Sequence, residues 1–152
     1  MRLIAECCSY ATGRAALAAG RNLNVSVTLV SPENAASFMG VSWWQALVKK
    51  LSPHKDIDNI LDCGEAAGRA MEALHAGQKQ IVLSRSGPQA VIVQSFASLV
   101  SAKVFPTRPD AVKLNEYVPP EILVRRYEEM YLISASRSHR PHAGAELQGV
   151  SK

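Results

Sequence analysis

Between Ile57 and Ser84 the chain reads IDNILDCGEAAGRAMEALHAGQKQIVLS. The stretch from Ile57 to Cys63 is short and rich in apolar residues, and Gly64 ends it, which is strand patterning. From about Glu65 to Ala76 the residues are Ala-rich good helix formers, and Gly77 stands where helices usually stop. A second apolar run, Gln80 to Ser84, follows at once. A strand, a helix and a strand joined by connections this short form a βαβ unit, whose two strands run parallel.

The same alternation continues in both directions. Upstream, Leu3 to Cys8 reads as a strand, about Ala11 to Arg21 as a helix, and Val25 to Val30 as a second strand that ends at Ser31-Pro32. A connection rich in small residues, closed by Gly40, leads to Ser42 as the expected cap of a helix. That helix carries Trp43, Trp44, Leu47, Val48 and Leu51 at spacings that make one apolar stripe. One of the two tryptophans is expected in the core, with its neighbour partly exposed. Downstream, Pro88 suits the first turn of a helix lasting to about Ser101, and Lys103 to Phe105 is a short strand ended by Pro106. Residues 1–106 are therefore an α/β domain: an open, mostly parallel sheet of four to five strands flanked by helices.

The remainder has a different character. TRPDAVKLNEYVPP reads as a crossing loop because prolines interrupt it, and a helix follows from about Glu121 to Ile133. Ile122, Leu123, Tyr127, Met130 and Tyr131 fall near one face of that helix, suited to docking on the domain or on a second copy. Residues 107–133 form this extension, and 134–152 (SASRSHRPHAGAELQGVSK) read as a flexible polar tail. RSHRPH within it suits either a metal, an acidic partner or simply a solubilising end.

Composition removes several classes. Of 152 residues, 47% are hydrophobic and 20% charged, a globular balance. Charged or polar residues interrupt every hydrophobic stretch before the roughly 20 residues of a membrane helix, and the start MRLIAECC lacks the apolar core of a secretory signal. No membrane role and a cytoplasmic location are the expectations. Seventeen Lys and Arg against thirteen Asp and Glu give +4, but the excess is diffuse, with Arg125-Arg126 cancelled by Glu128-Glu129. That diffuseness argues against nucleic acid as a partner. Three cysteines without a CxxC give neither a disulfide framework nor a zinc pattern.

Cys8-Ser-Tyr-Ala-Thr-Gly-Arg14 and Cys63-Gly-Glu-Ala-Ala-Gly-Arg69 match at Cys, Ala, Gly and Arg with a constant offset of 55. Each match is followed by an Ala-rich helix and a strand ending in serine, Ser31 or Ser84. Duplication and chance similarity of Ala-rich helices both account for this echo. The segment DCGEAAGRAMEALHAGQKQIVLS resembles the late βα units of phosphate-binding (β/α)8 barrels. That resemblance implies a half-barrel-like or flavodoxin-like arrangement with a ligand at the carboxyl ends of the strands. It covers about residues 57–84. The glycine pair and short phosphate helix of such barrels are not visible.

In open parallel sheets, ligands bind beyond the carboxyl ends of strands, where strand order reverses. A flavodoxin-like order 2-1-3-4-5 places that point between the first and third strands. It would bring together Cys7, Cys8, Ser9 and Tyr10 with Asp62, Cys63, Gly64 and Glu65, flanked by Ser31 and Glu33 and by Ser84, Arg85, Ser86 and Gly87. Cys8 and Cys63 would then end neighbouring strands about 5 Å apart, as a reactive thiol pair or as small core residues. Asp62 and Glu65 are either an acid/base or cation-binding pair, or a turn cap and a first-turn acid. Arg14 and Arg69, in first helical turns, point to a bound anion or to a carboxylate partner such as Glu65. Ser84-Arg85-Ser86-Gly87 before Pro88 supplies the parts of an anion cradle, or an ordinary capped turn.

Two functions follow as expectations. One is a domain binding an anionic small molecule, phosphorylated ones included, through Ser9, Arg14, Ser31, Gly64, Arg69, Ser84, Arg85, Ser86 and Gly87. Asp62, Glu65, Cys8 and Cys63 are its candidates for chemistry, and the identity of any cofactor is left open. The other is a non-catalytic subunit that assembles with itself or another protein through residues 119–152.

Overall fold

The computed structural model describes residues 1–114 and 118–138. Five parallel strands alternate with helices: β1 (Arg2–Glu6), α1 (Tyr10–Leu23), β2 (Ser26–Val30), α2 (Ala35–Phe38), α3 (Val41–Leu51), β3 (Asp58–Asp62), α4 (Ala67–His75), β4 (Gln80–Val82), α5 (Pro88–Leu99), β5 (Lys103–Phe105) and α6 (Pro120–Ser138). The sheet is open and all parallel, as the alternation predicts. Its order is β1-β2-β3-β4-β5, so the 2-1-3-4-5 order is corrected and no reversal point lies between β1 and β3. A chain that always steps to the next strand through crossovers of one hand lays its helices on one face.

That face carries the main core. Leu3, Ala5, Leu29, Leu61, Ile81 and Leu83 of the strand segments meet Ala15, Ala16, Ala19, Trp44, Ala70, Ala73, Ala90, Val93 and Ala97 of the helices. The alanines let helix backbones approach the sheet closely. At Gly20 a Cβ would overlap the Val27 side chain, so α1 sits directly on β2 there. Trp44 is buried and its indole N–H donates to Asn59 Oδ1 at 3.0 Å, while Trp43 is half-buried beside it. The helix containing them starts at Val41 behind Gly40, with no side-chain cap, so Ser42 is inside the helix rather than its cap.

The opposite face is layered. At the amino ends Arg2, Thr28 and Gln80 converge on the Asp58 carboxylate. Burial works against the ionised form of Asp58, but hydrogen bonds from Thr28 and Gln80 and the Arg2 charge hold it below the usual carboxylate range. An apolar belt of Val30, Ile60 and Val82 follows, packed with Ile4, Phe105 and Ala111. At the carboxyl ends stand the acids Glu6 and Asp62. The connection after β5 crosses this face, places Ala111 on the belt and returns to the far edge of β1. There Val112 pairs with Ala5 in a parallel bridge: its N–H donates to Ile4 O, and its carbonyl accepts from the Glu6 N–H, both at 2.9 Å.

The last helix is longer than its pattern predicts and takes Ser134–Ser138 from the expected tail. It buries Leu123, Tyr127 and Tyr131 at i, i+4 and i+8, packing on α1. Asn22 Nδ2 donates to Glu128 Oε1 at 2.7 Å, and Tyr127 Oη donates to Glu6 O at 3.1 Å. The expected tail from residue 139 onward, with most of RSHRPH, lies outside the described residues.

Candidate functional site

Strand alternation decides what each strand end presents. In β1 and β3 the last residues, Glu6 and Asp62, point to the face without helices, and the next ones, Cys7 and Cys63, point into the helix-side core. The crossing loop delivers Arg108 between the two acids. Its Nη2 lies 2.7 Å from Glu6 Oε2 and its Nη1 2.9 Å from Asp62 Oδ2, with Lys113 Nζ 3.8 Å from Glu6 Oε1. One planar guanidinium thereby bridges two buried carboxylates, a geometry its fork of donors suits.

Asp62 is further held from its own side. Its Oδ1 accepts from the Gly64 N–H at 2.7 Å and the Asn34 N–H at 3.3 Å, so it caps the turn after β3 as well as pairing with Arg108. The Asp62 N–H donates to Ser31 Oγ at 2.8 Å, and Ser31 is itself buried. Gly64 adopts φ +55°, and a Cβ there would overlap the Asn34 amide oxygen, so only glycine fits.

The cysteines divide by burial. Burial pushes the Cys7 and Cys63 thiols up to about 12, which keeps both protonated and weakly nucleophilic at neutral pH. Cys63 Sγ–H points to Leu61 O at 3.9 Å. Cys8 is exposed, with its N–H on Thr12 Oγ1 at 3.2 Å. The expected adjacency of Cys8 and Cys63 is corrected, because β2 lies between their strands. The internal echo also shifts by one residue: Cys7, not Cys8, is the structural counterpart of Cys63. Their N–H groups donate to Val30 O and Val82 O of the next strands at 2.8 and 2.9 Å.

Ser9 and Thr12 form a reciprocal cap that closes the α1 amino end. Beside Tyr10, Arg14 lies 5.7 Å from the ring centroid. Arg69 pairs with Glu72 at 2.8 Å and not with Glu65, which is exposed and precedes α4. Glu33 is exposed. The 64–69 and 84–88 loops are tied together: the Ser84 N–H donates to Gly64 O at 2.7 Å, and Arg85 Nη1 reaches Glu65 O at 3.5 Å. Ser84, Arg85, Ser86 and Gly87 are all exposed, and neither α4 nor α5 has a side-chain cap at its amino end.

Clefts among the described residues lie elsewhere. Two, of about 640 and 590 Å³, open at the amino-terminal ends of the strands around Asp56 and Asp58. A third, about 410 Å³, runs between 110–113 and the end of α6. Among the described residues no three His, Cys, Asp or Glu side chains converge on a metal position, and no helix is long and apolar enough to cross a membrane.

Sequence reasoning singles out Asp62 but passes over Glu6 and Arg108. The signal was available: two apolar strands each end in an acid of the same alternation phase, and buried like charges require a cation between them. No family model matches the sequence, and comparison with curated proteins finds no match.

Proposed function

We propose that the chain binds an anionic small molecule, phosphorylated metabolites included, at the carboxyl-terminal rim of the sheet between the 64–69 and 84–88 loops. The observation that carries this reading is that α4 and α5 begin side by side there without side-chain caps, with the exposed Arg85 reaching from one loop to the other. Each uncapped amino end leaves backbone N–H donors and a partial positive charge, which together attract an anion. Gly87, at φ +97°, lets the chain turn sharply into α5. Ser84 and Ser86 add hydroxyls, Gly64 holds the neighbouring turn, and Arg69 stands in the first turns of α4. Ser9 and Ser31 are engaged within the fold and enter as scaffold. Glu65 is the exposed candidate for chemistry at this site, with Asp62 and Cys63 supporting it from below, whereas the exposed Cys8 stands two strands away, beyond β2.

The sequential strand order and layered inner face agree with a half-barrel arrangement. Three free thiols fit the reducing cytoplasm, where the protein is proposed to act. Thermal-shift titration with inorganic phosphate, pyrophosphate and nucleotides tests the site. At a concentration of 100 times Kd a ligand adds about 2.7 kcal/mol, and Arg85→Ala should abolish that gain. The absence of any stabilising anion overturns the reading.

A second reading, a non-catalytic assembly subunit, is supported by Met130, Leu132 and Ile133, which α6 leaves exposed. Leu132→Glu should then dissociate the assembly, as read from its mass in solution.

A further inference from the structure

Helix α5 has two apolar faces. Ala90, Val93 and Ala97 are buried against the domain, while Val91, Ile92 and Leu99 are 59%, 60% and 82% exposed. At about 100° per residue, Val91, Ser95, Leu99 and Ile92 lie within one stripe about 100° wide, opposite the buried one. A surface helix of a monomer normally carries polar residues there. From Ser86 to Ala102 the chain has no charged residue at all.

We propose that this stripe is the contact of a two-fold dimer of the chain. Its layout is self-complementary: Val91 and Ile92 form an anchor at one end, Leu99 at the other, and exposed Ser95 stands midway. The anchors are separated by seven to eight residues, about 11 Å along the axis. An antiparallel copy centred on Ser95 sets each Leu99 against the partner's Val91 and Ile92, and the small serine lets the helices approach. A neutral stripe faces its own image without like-charge repulsion, and antiparallel helix dipoles attract. A partner selected by charge has nothing to grip here.

A single three-turn helix offers less than the roughly 800 Å² per partner of a tight interface, so the dimer is expected to be weak, with Kd on the order of tens of micromolar. Sedimentation velocity on the full chain from about 5 to 500 µM, spanning that Kd, should show the mass rising from 16.4 kDa toward twice that value. Ser95→Arg and Leu99→Glu should each weaken association at least tenfold without changing the circular dichroism. Because both positions are exposed, folding is not expected to suffer. Ser95→Cys in a Cys8→Ser background should form a disulfide-linked dimer on mild oxidation, which reads the two-fold centre directly. A monomer throughout the range, a dimer indifferent to both substitutions, absence of the cross-link, or loss of the dimer with Leu132→Glu alone would each overturn the proposal. The last result would transfer the interface to α6, and none of the four bears on the anion site.

Discussion

Arg108 is a single side chain on which two strand ends depend. Removing it leaves Glu6 and Asp62 buried without their shared cation, and breaking a buried pair in this way typically costs about 3–5 kcal/mol. Arg108→Ala should therefore lower the unfolding free energy by about 3 kcal/mol in urea titration, and adding Glu6→Gln should recover part of it. A loss under about 1 kcal/mol would show that water compensates the acids. The thiols make a second residue-scale case. Cys7 and Cys63 have folded pKa values raised to about 12 from 9.0, so the stability they contribute is complete below pH 9 and is lost as pH rises toward 12. Each thiol should steepen the fall by up to about 1.4 kcal/mol per pH unit. Cys63→Ala should flatten the alkaline limb of a stability–pH curve, and an unchanged slope would refute the assignment. The cysteines were conspicuous as residue types, but a single sequence does not distinguish a strand-end thiol in the core from one at the surface. The register does, and it separates them by one position.

At the scale of elements, alternation and period revealed the strands and helices well. Pairing across the sheet was hidden, because strand order is written in tertiary contacts and not in local pattern. Helix α6 shows where period alone stops. Its spacing nominates Ile122, Leu123, Tyr127, Met130 and Tyr131, yet the fold buries only Leu123, Tyr127 and Tyr131 and leaves Ile122 and Met130 exposed. Periodicity finds the centre of a stripe; the curvature of the surface beneath sets its width. Leu123→Ala should accordingly cost about 2–4 kcal/mol and Ile122→Ala well under 1. Equal losses would mean that α6 packs on a different face. Tyr127→Phe, which removes only the hydrogen bond to the Glu6 carbonyl, should cost about 1 kcal/mol.

At the scale of the whole molecule, the boundary near residue 106 marks a change in sequence character, but the contacts cross it. Ala111 closes the apolar belt of Val30, Ile60 and Val82, Arg108 neutralises the strand-end acids, Val112 pairs with the edge of β1, and Leu123 and Tyr127 cover α1. A domain of this size has a total stability of about 5–15 kcal/mol, so losing these contributions together is expected to remove much of it. Residues 1–106 expressed alone should consequently lack a cooperative urea transition and expose apolar surface to a hydrophobic dye, whereas the full chain unfolds in one step. If the fragment unfolds cooperatively within about 2 kcal/mol of the full chain, the extension is an accessory to an independent domain. If it does not, the crossing loop and α6 are the sixth layer of contact that a five-stranded open sheet, short of closing on itself, needs to cover its first strand and inner face.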